Sequence, residues 1–274
     1  MFRLVLSLLG LLALAPAALA GPRVVSMNLC ADELVLRLAD PGQVASVSYL
    51  AADRRISTVA DLAAGLPLNH GLAEEVVRHG PDLVIAGKYT TRTTVALLRR
   101  FGLPVLDLDV PVTFDAVAEQ IREVAAALEQ PARGEALIAA ITAGLAAVPA
   151  RARPLRALVL RPNGVTAGRG SLVDTLLVRA GLVNLGAGEE LQGYSSLPLE
   201  RVVGLKPDLL ILDSDPYPAP ALAYDVLRHP VLQDLPFDLE VIGVPNRLWT
   251  CAGPGIVEAL GILAGEGYTR LSGR

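Results

Sequence analysis

The chain repeats itself, and that limits its fold more than any other feature. The stretch Glu74-Glu75-Val76-Val77-Arg78-His79-Gly80-Pro81-Asp82-Leu83-Val84-Ile85 returns as Glu200-Arg201-Val202-Val203-Gly204-Leu205-Lys206-Pro207-Asp208-Leu209-Leu210-Ile211. Each copy reads as a helix closed by Pro-Asp and followed at once by a buried strand. A second pair stands in the same order: Asp32-Glu33-Leu34-Val35-Leu36-Arg37 matches Asp174-Thr175-Leu176-Leu177-Val178-Arg179. Two matches in one order imply two similar lobes, each a strand–helix–strand–helix–strand unit.

Apolar runs alternating with helical periodicity give the pattern of parallel α/β layers. Strands are expected at Val24 to Met27, Val44 to Val47, Leu83 to Ala86 and Val105 to Leu108, and helices at Ala31 to Leu38 and Thr93 to Phe101. Between the lobes Phe114 to Leu128 is amphipathic, with Thr113 or Asp115 as its cap. Gln130-Pro131 then restarts a helix, proline taking its favoured first-turn place, and Ala132 to Val148 extends it by roughly 25 Å at 1.5 Å per residue. The expected fold is two Rossmann-like α/β lobes with parallel sheets joined by one long rigid helix, whose cleft opens little. The corresponding boundaries are 21–112 for the first lobe, 113–150 for the helical region and 151–274 for the second lobe.

Residues 1–20 are read as a secretory signal. Arg3 precedes an apolar run from Leu4 to Leu14, and Ala18-Leu19-Ala20 supplies small residues at the cleavage site. The run is shorter than a membrane span needs, and Pro16 and Gly21 follow it directly. Cys30 follows Met27-Asn28-Leu29, without the small residue wanted before a lipidated cysteine. The mature protein is expected to be soluble and periplasmic, beginning near Gly21. A net charge of −4 without basic clusters argues against a nucleic-acid partner.

The order of these features identifies a family. An export signal is followed by a strand ending in a polar turn and helix, Glu and Pro-Asp-Leu at matched spacing in each lobe, and a single inter-lobe helix. Trp249-Thr250-Cys251-Ala252-Gly253-Pro254 then leads into a last helix. Over the whole mature chain this resembles the periplasmic binding proteins for cobalamin and iron complexes. The resemblance implies a class III binding-protein fold, a ligand held between the lobes, and delivery to a dimeric inner-membrane ABC permease driven by a cytoplasmic ATPase. It also implies that a glutamate pair, here Glu74 and Glu200, meets arginines on the two permease subunits. The local alternative is that each glutamate simply complements its own helix dipole. The protein is expected to act as a monomer and to need no cofactor, its ligand supplying iron or cobalt.

In parallel α/β lobes, ligands sit beyond the carboxyl ends of the strands. That rule selects Asn28, Tyr49, His70 and Tyr89 from the first lobe, and Arg161, Tyr194 and Trp249 from the second. Arg54, Arg55, Arg169, Asp213 to Tyr217 and Arg247 lie on the same loops. Flat rings with polar tips suit a large, partly apolar ligand, and arginines suit an anionic chelate. With three histidines in all, His70, His79 and His229, a His–carboxylate cluster for a bare metal ion is disfavoured. A haem ligand would need one axial donor, for which His70 or a tyrosine can serve, so siderophore, corrinoid and haem stay open.

No phosphate-binding loop, nucleophile elbow or His-Glu-x-x-His motif occurs, so a binding protein is expected in place of an enzyme. The enzyme alternative is a metal-assisted hydrolase built from His70, Asp213 and Asp215. The two cysteines, Cys30 and Cys251, would lie in an oxidising compartment, where paired cysteines usually bridge. Two free thiols, or soft metal ligands, are the alternatives.

Overall fold

The computed structural model describes residues 21–265, apart from 91, 189–190, 216–222, 224, 226, 228 and 233–238. The signal segment and Tyr217 therefore fall outside the described residues.

The first lobe runs β1 (Val24–Ser26), α1 (Leu29–Leu38), β2 (Val44–Ser48), β3 (Leu68–Asn69), α2 (Ala73–Arg78), β4 (Leu83–Gly87), α3 (Arg92–Arg100) and β5 (Val105–Leu108). Its five strands lie in the order β3-β2-β1-β4-β5, and every pairing is parallel. Burial on both faces explains why β1 and β4 read as continuous apolar runs instead of alternating ones. The short β3 carries no apolar run of its own, and sequence periodicity missed it.

The second lobe runs β6 (Arg156–Val159), β7 (Val165–Ala167), α6 (Leu172–Arg179), β8 (Val183–Asn184), α7 (Leu185–Gly188), β9 (Tyr194–Ser196), α8 (Leu199–Leu205), β10 (Leu209–Leu212), β11 (Glu240–Gly243) and α9 (Gly255–Ala264). Its parallel sheet has the order β8-β6-β10-β11, which repeats β2-β1-β4-β5 of the first lobe strand for strand. One departure from the expected parallel architecture is an antiparallel ribbon of β7 with β9. It lifts Tyr194 out of the loop after β8.

The repeated Pro-Asp has a common physical reason. Asp82 accepts a 2.8 Å hydrogen bond from the backbone N–H of Arg23, the residue before β1. Asp208 accepts one of 2.8 Å from the N–H of Arg156, which opens β6. Each arginine returns its guanidinium to carbonyls at the end of the preceding helix, His79 in one lobe and Leu205 and Lys206 in the other. The motif thus pins the start of the central strand to the helix–strand corner beside it, twice.

The joint between the lobes is a helical hairpin. α4 (Phe114–Ala127) is capped by the Thr113 hydroxyl, which accepts from the N–H of Ala116. The chain then turns back into α5 (Pro131–Ala147), the expected bridging helix. The hairpin closes tightly at Gly134, where a Cβ would stand 2.5 Å from that of Ala125. α5 is anchored in both lobes. At its start Arg133 donates to the Leu38 carbonyl at 2.6 Å and pairs with Asp40 at 2.8 Å. At its end the carbonyls of Leu145 and Val148 accept from Arg179 of α6.

The inner faces of both sheets share one apolar core. Val24, Leu34 and Ile85 belong to it from the first lobe, and Val159, Leu176, Ile211 and Leu260 from the second. Ile121, Val124, Ile141 and Leu145 of the hairpin join the two halves. Separate clusters cover the outer faces. Opening the lobes wide would expose that shared core, and each buried aliphatic side chain so exposed costs about 1.5–3 kcal/mol. The hairpin and core together favour a stiff molecule.

Candidate ligand cleft

A covalent bridge fixes how the two sets of strand ends face each other. Cys30, in the first turn of α1 after β1, is disulfide-bonded to Cys251, in the turn after β11, with Cα atoms 5.0 Å apart. The loops beyond the carboxyl ends of both sheets therefore meet over this bridge. Buried Asp32, one turn into α1, holds the neighbouring loop: its carboxylate accepts from the Ser48 N–H at 3.0 Å and from the Ser48 hydroxyl. Burial pushes the Asp32 carboxyl up to about 6, against the opposing pull of hydrogen bonds from Ser26 and Ser48.

On the first-lobe side, Tyr49 leaves the end of β2 and His70 the end of β3. Their rings stack, with centroids 4.9 Å apart and planes 21° from parallel. Glu75 of α2 clamps His70 twice: Oε2 accepts the His70 backbone N–H at 2.6 Å, and Oε1 lies 3.3 Å from Nδ1. The N–H of His70 holds Glu75 below the usual carboxylate range, so it stays ionised. Tyr89, after β4, is 69% exposed.

Asn28 is tied into the protein's own loops. Its Oδ1 caps α1 by accepting from the N–H of Ala31, and its Nδ2 donates to Thr90 Oγ1 at 2.9 Å. It ties the loop after β1 to the loop after β4, across the point where the strand order reverses. It thereby shapes the cleft edge, and the residue stays partly exposed there.

On the second-lobe side, the guanidinium of Arg161, after β6, lies 5.0 Å from the Tyr194 ring centroid and 5.7 Å from that of Trp249. Its Nε and Nη2 are buried and make no hydrogen bond. Desolvation raises the Tyr194 phenol above its usual range, although Arg161 pulls the other way. Trp249 is only 2% exposed and belongs to the shared core. It supports Arg161 from beneath and offers no free face, which corrects the contact expected of it. Its position in a loop gave no hint of this, because the packing partners come from elements far away in the chain.

Other loop candidates are occupied. Arg54 pairs with Asp61, Arg55 with Asp53 and Arg247 with Asp215. Asp213 accepts from the backbone and side chain of Asn246. Among the described residues no three His, Cys, Asp or Glu side chains converge as a metal site, so His70, Asp213 and Asp215 do not form the hydrolase centre considered above. An open polar cavity of about 580 Å³ is lined from both lobes, by Arg37, Thr58 and Asp61 on one side and Asp215, Arg247 and Glu258 on the other.

Glu74 and Glu200 take the same place, the second residue of α2 and of α8, and both are exposed. Neither helix has a side-chain cap, since Leu72 and Pro198 precede them. Glu75 is spent on His70, so the unengaged carboxylate of α2 is that of Glu74.

Two duplicated α/β lobes, stapled at their strand ends and stiffened by a helical hairpin, define a two-lobed binding protein. The comparisons with known proteins agree. Residues 24–237 match the family model described as periplasmic binding protein, and the chain belongs to that family. A curated relative, the cobalamin-binding protein of Halobacterium salinarum, is 27% identical over 197 residues, covering 69% of this chain and 53% of its own length. The chain thus spans about half the length of the curated relatives it matches. The solved periplasmic haem-binding protein RhuT of Roseiflexus sp. RS-1 is 26% identical with a TM-score of 0.71, covering 89% of this chain and 97% of that one. An ABC-type Fe3+-hydroxamate transport protein of Saccharomonospora viridis is 23% identical with a TM-score of 0.67, covering 89% and 92%, and shows likeness of fold.

Proposed function

We propose that this protein is the substrate-binding component of an ABC importer, capturing an iron or cobalt chelate between its lobes and delivering it to a dimeric inner-membrane permease. Ferric siderophores, corrinoids and haem form the substrate class. The observation that carries this reading is the composition of the facing strand ends. Tyr49, His70 and Tyr89 stand exposed on one lobe, and Tyr194 on the other with half-buried Arg161 beside it. Aromatic faces with one cation that no carboxylate among the described residues neutralises suit a bulky chelate with an anionic periphery. The names of the relatives support the same class, since they include cobalamin-, haem- and hydroxamate-related proteins. No helix among the described residues is long and apolar enough to cross a membrane, which is compatible with an exported chain cleaved before Gly21 and working as a periplasmic monomer.

The docking role falls to Glu74 and Glu200. Equivalent exposed carboxylates on equivalent helices present two like charges, one per lobe, as a permease with two identical basic patches requires. Two experiments test the reading. Protein purified from its own periplasm should carry a visible absorption band or acquire one from a ferric siderophore, a corrinoid or haem; failure to bind any of the three overturns the substrate class. Glu74→Ala with Glu200→Ala should leave chelate affinity unchanged and reduce transport far more than either change alone. Normal transport by the double variant leaves both residues with a helix-dipole role only.

A further inference from the structure

The turn before α9 carries a glycine that its backbone does not require. Gly253 is buried and does not adopt a positive φ, so its want of a side chain is a matter of space. A Cβ there would stand 2.5 Å from Oε1 of Glu33 and 2.8 Å from its Cγ. Glu33 belongs to α1 of the other lobe, and its side chain is only 5% exposed. Arg37 Nε donates to its Oε1 at 3.0 Å, the Thr58 hydroxyl donates to its Oε2, and Arg37 Nη2 donates to Thr58 Oγ1 at 3.2 Å. This closed triangle braces both carboxylate oxygens against the facing turn. Moving Glu33 aside would break it and strand a buried charge, which is costly.

Beside this contact the lobes are pulled together. Cys30 and Glu33 stand three residues apart on α1, hence on one face of the helix, and their partners Cys251 and Gly253 share the facing turn. The disulfide draws α1 onto that turn, with Cα atoms 5.0 Å apart. Glu33 against the bare backbone of Gly253 stops the approach. A tether and a stop, side by side, fix the spacing of the lobes at their facing loops. Both rims of the cleft are tied to the same place. From α1, Asp32 holds Ser48, the residue before Tyr49, and the cap Asn28 holds Thr90, the residue after Tyr89. From the facing turn, Trp249 lies two residues before Cys251 and packs against Arg161. A change of spacing here therefore moves one rim relative to the other.

We propose that the Glu33–Gly253 contact is the spacer that sets the width of the cleft and so selects chelates by thickness. This rests on the chelate-binding reading above and adds to it a specificity-determining pair outside the residues that face the ligand. One methylene misplaced in a fitted pocket alters discrimination roughly 10–200-fold, and a methyl group added at Gly253 is a change of that size.

The test titrates the parent protein and three variants with a flat chelate, ferric protoporphyrin IX, and a globular one, a linear ferric trihydroxamate. Acrylamide quenching of Trp249, the chain's one tryptophan, supplies a readout that needs no ligand. Gly253→Ala pushes the lobes apart and should raise the hydroxamate-to-porphyrin affinity ratio about tenfold, with stronger quenching. Glu33→Ala removes the stop and should lower the ratio. Gly253→Ala combined with Glu33→Asp makes room for the new methyl group and should return ratio and quenching towards the parent values, a coupling across the lobe boundary. A merely structural role would move both single variants in one direction and show no reversal. Shifts of the same sign in the two single variants overturn the proposal, as does a folded Gly253→Ala with parental ratio and quenching, or one that Glu33→Asp does not reverse. If Gly253→Ala fails to fold, recovery of the fold by Glu33→Asp and the sign of the Glu33→Ala shift decide it. A parent protein that binds neither chelate nor a corrinoid overturns the chelate-binding reading, and the quenching series then decides whether the spacer stands.

Discussion

Removing the Cys30–Cys251 bridge should weaken the fold without dismantling it. The cross-link joins residues 221 apart, nearly the whole described chain. In the chain-entropy account a loop of that length restricts the unfolded state by about 5 kcal/mol, and measured losses on removing native bridges run at roughly 2–5 kcal/mol. The native state has other means of keeping the lobes together, namely the hairpin and the apolar core that runs through both. Cys30→Ala with Cys251→Ala should therefore remain folded, with native circular dichroism, while its urea midpoint falls in proportion to that loss. Reducing the parent protein should reproduce the shift, and reducing the variant should do nothing. Thiol titration of the parent under denaturing, non-reducing conditions should find no free thiol. Two titratable thiols, or a variant as stable as the oxidised parent, would refute the reasoning.

Asp32 gives a pH-dependent test. Its native carboxyl is pushed up to about 6 by burial, above the ~3.9 of an unfolded chain. The native state therefore holds this proton more tightly, and the group's favourable contribution is complete below about pH 4 and lost as pH rises through about 6. Asp32→Asn keeps a carbonyl for the Ser48 N–H and should stabilise the protein at neutral pH by up to roughly 3 kcal/mol, flattening the curve over that range; identical pH profiles for variant and parent would contradict it. Trp249→Ala empties a core position and should cost about 3–5 kcal/mol of unfolding free energy, read by urea denaturation, whereas a loss confined to ligand affinity would return Trp249 to the cleft surface.

The sequence by itself determined the plan of this protein. Repeated helix–Pro-Asp–strand segments specify two equivalent lobes, and continuous apolar runs specify buried parallel strands. Pro131 and the helical periodicity after it specify the bridging helix. The matched positions of Glu74 and Glu200 were also legible, because both are counted along one short helix from its own closing proline. All of these are local patterns, in which burial within an element is written as spacing along the chain.

Tertiary structure decided which strand-end side chains are free. Asn28 is bonded to Thr90, 62 residues away, and Trp249 sinks into a core assembled from both lobes and the hairpin. The β7–β9 ribbon places Tyr194 over Arg161, and β3 sets His70 beside Tyr49. Even the Glu75 clamp, only five residues from His70, forms because the loop after β3 turns back on the first turn of α2. A loop residue carries no periodicity of its own, and its fate rests on hydrogen bonds and packing with distant partners that only the folded chain brings within reach.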